Sequence, residues 1–210
     1  SISNMDIVYN FAGISDIEEC HSNPIDTINY NILGNANIIK SSINNNVKRF
    51  LFASSAYVYS SAGSFYRISK QASEQIVESY FTNSKINYTI LRYGSLYGER
   101  SNKKNYIYNL LYSALKYDKI DFYGNGDEIR EFIHVRDAAE LSVKVLDRKN
   151  KSEILMLTGS NSIKYIDLLD MINEILMGKI KITIFPKKTG VARYKMTPYS
   201  FNPKMAKKLM

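Results

Sequence analysis

The sequence predicts an α/β fold with a doubly wound parallel sheet, because short apolar runs alternate with amphipathic segments in its first half. Three apolar runs are predicted strands, at residues 7–11, 49–54 and 88–92. Helices are predicted between them, from Pro24 to about Asn44 and from Phe65 to about Phe81. Alternating strands and helices are typical of βαβ units, which build parallel sheets.

Local signals support the two helices. Asn23 is suited to cap the first helix, and Pro24 to occupy its first position. Each helix then carries apolar residues at helical spacing on one face. These are Ile25, Ile28, Ile32, Ile39 and Ile43 in the first helix, and Ile68, Ala72, Ile76 and Tyr80 in the second.

Beyond Arg92 the pattern is less regular, with a turn cluster at residues 124–127. We predict helices over residues 106–116 and 135–146. A third helix is predicted from a cap at Asn161 or Ser162 to Leu176, and a fourth begins at about Pro203. Strands are predicted at residues 120–123, 154–157 and 180–185. The second half is therefore expected to contain a small α/β lobe.

The net charge of +8 is concentrated at the C-terminal end. Residues 151–210 carry 11 Lys and Arg but only 4 Asp and Glu, whereas residues 1–150 are nearly neutral. A basic lobe suits a phosphate-bearing small molecule, and it also suits nucleic acid. A solvated lysine-rich surface is the structural alternative, and the charge alone does not separate the three.

Composition excludes several classes of protein. One cysteine, Cys20, and two histidines, His21 and His134, exclude an internal disulfide framework and a multi-cysteine zinc site. No apolar run approaches the roughly 20 residues that span a bilayer. The first residues lack the basic region of a signal peptide. We therefore expect a cytoplasmic globular protein without a metal.

The ten glycines do not form a phosphate-binding loop. A doubly wound nucleotide-binding sheet normally opens with a strand, a glycine-rich loop and a helix. Here the first predicted strand reads as a strand from the middle of a sheet. We therefore expect the chain to be a piece of a longer protein, cut at both ends.

A candidate catalytic group lies on the second helix and the strand before it. Tyr66 and Lys70 are four residues apart, so their side chains share a helix face. A lysine ammonium favours phenolate and is expected to lower the pKa of Tyr66, which could then take a proton from a hydroxyl. Ser54 and Ser55 end a predicted parallel strand, where ligands bind in such sheets.

Spacing alone does not establish this site. A second pair with the same spacing, Tyr112 and Lys116, is interpreted as part of an ordinary amphipathic helix, and turn or cap chemistry is the alternative for Ser54 and Ser55. A serine, a tyrosine and a lysine that converge could deprotonate a carbinol. The electrons would then leave as hydride to a nicotinamide.

Six segments carry a more specific pattern. They are residues 6–13 (DIVYNFAG), 31–34 (NILG), 47–59 (VKRFLFASSAYVY), 64–70 (SFYRISK), 91–98 (LRYGSLYG) and 124–137 (GNGDEIREFIHVRD). In this order they resemble the motifs of the NAD-dependent epimerase/dehydratase family, extended short-chain dehydrogenases that act on nucleotide sugars. The resemblance implies a partial Rossmann-like sheet, without its first strands and glycine-rich loop. Residues 1–93 would belong to the NAD-binding domain and residues 94–210 mainly to a substrate lobe, with about 135–158 returning to the NAD-binding domain.

The resemblance also implies roles for individual residues. Ser55, Tyr66 and Lys70 would be catalytic, with Tyr66 as the acid/base and Lys70 bonding the nicotinamide ribose. NAD, or NADP, would contact Phe11, Ala12, Gly13, Asn31, Ser54, Tyr66, Lys70 and Tyr93. The nucleotide-diphosphate sugar would contact Ser55, Ser95, Arg130 and Arg193, the two arginines at its diphosphate. The residues that separate NAD from NADP would lie outside this chain.

Departures from the family pattern bear on the reaction. Sugar 4,6-dehydratases carry an Asp-Glu pair where this chain has Ala56 and Tyr57, so a 4-epimerase is favoured, with a 4-keto-sugar reductase as the alternative. Ser95 and Glu131 replace a usual Asn and Asp, which leaves the identity of the sugar open. A non-catalytic nucleotide-sugar-binding scaffold is a further alternative. The resemblance also implies a homodimer through the helices at about 24–46 and 65–81, with no nucleic-acid or membrane partner, and predicts that the fragment alone is inactive.

Overall fold

The computed structural model describes residues 2–82, 84, 86–147, 152–186 and 190–200. The strands are β1 (Ile7–Asn10), β2 (Arg49–Ser55), β3 (Asn87–Tyr93), β4 (Ser95–Tyr97), β5 (Lys119–Tyr123), β6 (Ile129–His134), β7 (Glu153–Leu157), β8 (Ser162–Lys164) and β9 (Lys181–Phe185). The helices are α1 (Ile17–Ser22), α2 (Pro24–Thr27), α3 (Gly34–Asn44), α4 (Ser64–Phe81), α5 (Tyr106–Tyr117), α6 (Val135–Lys144) and α7 (Tyr165–Ile175). A π-helical turn, Ile28–Leu33, joins α2 to α3, and short 3₁₀ turns follow β2 and α6.

A parallel four-stranded sheet has the order β1-β2-β3-β7. Helices α3 and α4 pack on one face around Ile39, Phe50, Phe52 and Val77. The other face packs on the turn after α6 through Leu51, Leu91, Val145 and Leu157. Helical elements on both faces are the doubly wound arrangement, so the predicted α/β fold class is confirmed.

A smaller α/β unit is built on the parallel pair β5–β9. Its core brings α5 and α7 together through residues such as Leu110, Ile120, Phe122 and Leu169. Three short strands, ordered β4-β6-β8, lie at the edge of this unit, with β6 parallel to β4 and antiparallel to β8.

The structure corrects some predicted boundaries. Helix α7 begins at Tyr165 with Lys164 as its N-cap, not at Asn161 or Ser162, because residues 162–164 pair with β6 instead. The first long helix is interrupted by its π-helical turn. The helix predicted near Pro203 lies outside the described residues.

The apolar stripe predicted on α4 is only partly buried: Ile76 packs against the core, whereas the two ends of the stripe face outward. Ile68 and Tyr80 are each 44% exposed. The residues of α4 that are buried against the sheet and neighbouring helices are Ser69, Lys70, Ser73, Glu74, Val77 and Phe81. The buried face of α4 therefore places polar and charged groups inside the fold beside the candidate site.

Two findings concern membranes and metals. In the described part of the chain, no helix combines the length and apolar character needed to cross a membrane. Within the same residues, no group of three or more His, Cys, Asp and Glu side chains could hold a metal ion.

Candidate active site

A cavity of about 590 Å³ opens beyond the carboxyl ends of β2 and β3, between the parallel sheet and the smaller unit. Cavities at this edge are the usual ligand sites of parallel α/β sheets. Its wall includes the predicted site residues Ser55, Tyr66, Ser95, Arg130 and Arg193. Aromatic side chains supply much of the rest, namely Tyr57, Tyr106, Phe122, Tyr123, Phe132, Tyr165 and Tyr194.

Ser55 is held at the end of β2 by the turn that follows it. It caps the 3₁₀ turn Ala56–Tyr59, and its Oγ accepts a hydrogen bond from the Tyr57 amide at 3.3 Å. The side chain is buried, and its interaction with the Tyr66 phenol favours the phenolate form. The serine predicted from the strand end therefore meets the predicted acid/base.

Lys70 lies beneath Tyr66 on the same face of α4. Its Nζ is 5.9 Å from the centroid of the Tyr66 ring and 5.0 Å from that of Phe52. It donates a 2.7 Å hydrogen bond to the carbonyl of Ala53, two residues before Ser55. The side chain is buried, with 7% of its surface exposed.

Burial dominates the titration of both groups. It raises the pKa of Tyr66 to about 12, although the interaction with the Ser55 side chain acts in the opposite direction. It also lowers the pKa of Lys70 to about 8. The pKa of Tyr66 is therefore raised and not lowered in this structure, because desolvation of a phenolate outweighs the favourable interactions of Tyr66.

The second Tyr…Lys pair shows what the spacing alone produces. Lys116 Nζ donates directly to Tyr112 Oη at 2.7 Å, and this bond lowers the pKa of Tyr112. Lys116 is exposed and Tyr112 is half-buried, and neither lines the cavity. The Tyr66 pair differs in its burial, its serine and its position on the cavity wall.

The loop after β1 is held in a fixed shape by Asn31. The Asn31 amide accepts a hydrogen bond from the Ile14 amide at 2.7 Å and donates to the Ile14 carbonyl at 2.9 Å. Gly13 has a φ of +140°, and a Cβ there would lie 2.6 Å from Asn31 Oδ1. Ala12 donates to Asn10 Oδ1 at 3.1 Å. Asn31 thus shapes the loop predicted to contact the cofactor.

The other predicted cofactor residues differ in their exposure and in their hydrogen bonds. Phe11 is 60% exposed, and its ring lies 6.1 Å from that of Tyr93. The Tyr93 hydroxyl is hydrogen-bonded to Ser142 Oγ at 2.6 Å. Ser54 is buried, and its hydroxyl donates to Glu74 instead of facing the cavity. The hydroxyl groups of Ser54 and Tyr93 thus form hydrogen bonds within the protein.

Arg130 anchors a backbone segment as well as lining the cavity. It donates to the carbonyls of Ile129 (2.8 Å), Tyr194 (2.7 Å) and Lys195 (3.3 Å), and the Tyr194 ring covers its guanidinium at 4.2 Å. A guanidinium has five N–H donors, so these three bonds leave further donors for an anion. Arg193 lies 3.5 Å from Glu18, and Ser95 Oγ lies 3.3 Å from the Tyr194 hydroxyl.

Sequence reasoning missed the aromatic side of the cavity. In the sequence Tyr57 stands out only as a replacement for an acid, yet its ring lies 4.4 Å from that of Tyr194 and 6.0 Å from that of Tyr66. Burial raises the pKa of Tyr57. With 17 tyrosines in the chain, nothing in the sequence singled out Tyr194, which is far from Tyr57 along the chain.

The sequence profile of the NAD dependent epimerase/dehydratase family matches residues 1–157. The chain belongs to this family. The predicted resemblance is therefore confirmed, together with the NAD-linked, nucleotide-sugar character of the family.

Three proteins illustrate the range of the family. A UDP-glucose 4-epimerase from Mycoplasma genitalium is 27% identical in an alignment 221 residues long, and the alignment covers 88% of this chain and 65% of that protein. The UDP-glucuronic acid 4-epimerase from Bacillus cereus, solved with UDP-glucuronic acid and NAD, has a TM-score of 0.83 at 20% identity, with coverage of 98% of this chain and 72% of that one. A dTDP-glucose 4,6-dehydratase from Streptomyces venezuelae, solved as a double mutant with NAD, has a TM-score of 0.81 at 19% identity, covering 96% and 66%.

These comparisons include epimerases and a dehydratase on one fold. The chain spans 65% of the length of the Mycoplasma relative. The solved structures are too distant in sequence to indicate more than the fold.

Proposed function

We propose that this chain carries the catalytic site of an NAD-dependent nucleotide-sugar 4-epimerase. The observation that supports it best is that Ser55 and Tyr66 meet on the cavity wall, with Lys70 beneath the tyrosine ring. A phenol, a hydroxyl and a cation in this arrangement suit proton transfer to and from a sugar alcohol.

The residues fit a bound nicotinamide nucleotide. Lys70 Nζ has three donors, and in the described part of the chain one hydrogen bond, to Ala53, accounts for one of them. The remaining donors suit the hydroxyls of a nicotinamide ribose. The Phe11–Gly13 loop, whose shape is held by Asn31, and the exposed Phe11 ring would border the cofactor. Bound NAD⁺ would accept hydride from C4 of the sugar.

Tyr66 would move the proton in both directions. Its Oη takes the proton of the C4 hydroxyl as the sugar is oxidised to a 4-ketone, and returns it when the ketone is reduced on its other face. Ser55 holds the same hydroxyl through a hydrogen bond. Because burial raises the pKa of Tyr66 to about 12, the phenolate needs added positive charge in the site, and the Lys70 ammonium is one source of it.

The nucleotide end of the substrate would lie against Arg130, with Arg193 as the second arginine. Arg suits phosphate oxygens because its planar fork binds two of them at once. Ser95 would contact the sugar. In this account the cofactor half consists of residues 1–93 and about 135–158, and the remaining residues form the substrate lobe. The pairing of β7 with β3 in one sheet supports this division.

A 4-epimerase is favoured over a 4,6-dehydratase by the residues after Ser55. Ala56 is buried and has no acid, and Tyr57 presents a phenol whose pKa is raised by burial. Loss of water from the sugar requires an acid to protonate the leaving hydroxyl. A neutral, high-pKa phenol is a weak donor for that step.

We also propose that two copies associate through α4 and the α2–α3 region. The outward faces of these helices expose Ile25 (67%), Tyr30 (63%), Leu33 (55%), Ile68 and Tyr80. An apolar set of this kind is typical of a subunit interface. Light scattering should give a dimer for the natural protein, and Ile68→Glu with Tyr80→Glu should give a monomer. The cytoplasmic location and the absence of a nucleic-acid partner stay predictions.

Product analysis tests the proposed function in the full-length protein that contains this chain. UDP-glucose, UDP-N-acetylglucosamine and UDP-glucuronic acid are each incubated with it and NAD⁺, and the products are separated. Inversion at C4 without net consumption of NAD⁺ is expected for at least one of them. Stoichiometric turnover of a reduced nicotinamide with a 4-keto sugar would instead identify the reductase.

A further inference from the structure

A buried polar cluster lies behind the candidate catalytic residues. Glu74 accepts hydrogen bonds from Arg92 Nε at 2.9 Å and Arg92 Nη2 at 2.6 Å, a two-pronged ion pair, and another from the Ser54 hydroxyl. The remaining Arg92 nitrogen, Nη1, donates to the Tyr59 hydroxyl, whose ring also lies 4.3 Å from the guanidinium. Glu74, Arg92 and Ser54 are each less than 7% exposed.

Each member of this cluster lies next to a residue of the site. Ser54 precedes Ser55, and Glu74 lies one helical turn after Lys70 on the same face of α4. Arg92 pairs in register with Ser54 across β2 and β3. The cluster therefore ties the strand that carries Ser55 to the helix that carries Tyr66 and Lys70.

A buried ion pair is an expensive way to join a helix to a sheet. Two well-packed apolar side chains would stabilise the fold as well or better, because desolvating both charges offsets most of their attraction. What the pair adds is a fixed direction and distance, through the two parallel hydrogen bonds of an Arg–carboxylate contact.

We propose that Glu74 and Arg92 are positioning residues that set the alignment of Ser55, Tyr66 and Lys70, and that the Glu74 charge helps keep Lys70 protonated. This inference rests on the proposed function, because it assigns the pair to that catalytic group. Among the described residues, the charged and titratable groups facing Lys70 are Cys20 of α1 and Tyr66 and Glu74 of α4, with Arg92 of β3 behind Glu74. Glu74 and Cys20 oppose the effect of burial on the Lys70 pKa.

The alignment is tested with a paired apolar variant, because removing one charge leaves the other buried and threatens the fold. Glu74→Met combined with Arg92→Met should keep the thermal midpoint and the nucleotide-sugar affinity of the wild type. Its kcat should fall by about 10²-fold with KM unchanged, the scale of a misplacement of about 1 Å. Ser54→Ala, which keeps the ion pair, should give a smaller fall in kcat.

The charge is tested with Glu74→Gln combined with Arg92→Met, which retains the shape and acceptor oxygen of residue 74 and does not leave the Arg92 charge buried without a partner. The alkaline limb of its pH–kcat profile should move to lower pH, because Lys70 then loses its proton more easily. Lys144→Met, which breaks the exposed Glu140–Lys144 pair, is the matched control and should leave both kcat and the profile unchanged.

The outcomes separate the two claims. If the wild-type protein has no turnover with any nucleotide sugar, the proposed function fails. If the wild type is active and the paired variant, folded, keeps wild-type kcat, the positioning role is wrong. An unshifted alkaline limb in the folded variant that combines Glu74→Gln with Arg92→Met would contradict the effect on Lys70.

Discussion

Lys70 does not hydrogen-bond the Tyr66 phenol; it lies under the ring, with Nζ 5.9 Å from the centroid, and donates to Ala53 O instead. In the surface pair the lysine does reach its tyrosine, at 2.7 Å. The pair that bonds directly is thus the one outside the cavity. We therefore assign proton transfer to Tyr66 because Lys70 is buried beneath it, Ser55 lies beside it and it lines the cavity. The spacing of Tyr and Lys does not carry the assignment.

Tyr66→Phe should remove the acid/base while leaving the packing of the ring. Turnover of a nucleotide sugar by the full-length protein should fall by about 10²-fold or more, the scale of general acid–base catalysis. Tyr112→Phe is the matched control and should leave turnover unchanged. Equal losses in the two variants would refute the assignment of Tyr66.

Lys70→Met should stabilise the fold while it impairs activity. Burial lowers the pKa of Lys70 to about 8, against about 10.4 in an unfolded chain. At pH 7 the folded state therefore holds an unfavourable charge. At about 1.4 kcal/mol per pKa unit, less the lost hydrogen bond to Ala53, the variant should gain about 2 kcal/mol in the free energy of unfolding.

The sign of the pH dependence gives a second check on Lys70. Between about pH 8 and 10 the unfolded chain binds the lysine proton and the folded chain does not, so wild-type stability should rise with pH relative to Lys70→Met. Urea unfolding of both proteins at pH 7 and pH 10 measures this. A stability difference that does not narrow at pH 10 would mean that Lys70 is not a desolvated cation.

Arg130→Ala should weaken nucleotide-sugar binding by about 2–5 kcal/mol, the scale for truncating one partner of a desolvated charged contact. Arg136→Ala removes an exposed arginine and is the control, since exposed charges are screened by salt. Calorimetry at two salt concentrations measures both variants. If many lysines contributed equally and DNA bound tightly with a steep salt dependence, the basic charge would serve nucleic acid instead.

Incubation with a nucleotide sugar should yield no 4-keto-6-deoxy product, because Ala56 and Tyr57 supply no acid of ordinary pKa. Mass spectrometry detects that product by its loss of water. Its appearance would replace the epimerase assignment with a dehydratase.

Much of the sheet and the central site could be predicted because the signals are local. The strand at Arg49–Ser55 and the helix Ser64–Phe81 were predicted to within one residue, since each is a continuous pattern with clear ends. Strands β4 and β8 were not, because each has three residues and exists only through its pairing with β6.

The rest of the site depends on contacts between distant residues. Tyr194 contacts Tyr57, and Arg92 contacts Glu74. The residues of each pair lie far apart in the sequence, so hydrophobic periodicity does not predict that they touch. The buried face of α4 could not be predicted either. Apolar spacing points to Ile68 and Tyr80, whereas the structure buries Lys70 and Glu74.

The fate of the hydrogen at C4 tests the central claim most directly. A nucleotide sugar carrying deuterium at C4 is incubated with the full-length protein and NAD⁺ in ordinary water, and the product is analysed by NMR. The account predicts inversion at C4 with the deuterium retained there, because hydride leaves and returns within the site while Tyr66 exchanges only the hydroxyl proton. Inversion with the deuterium lost to water, or binding of the sugar without any inversion, would contradict it.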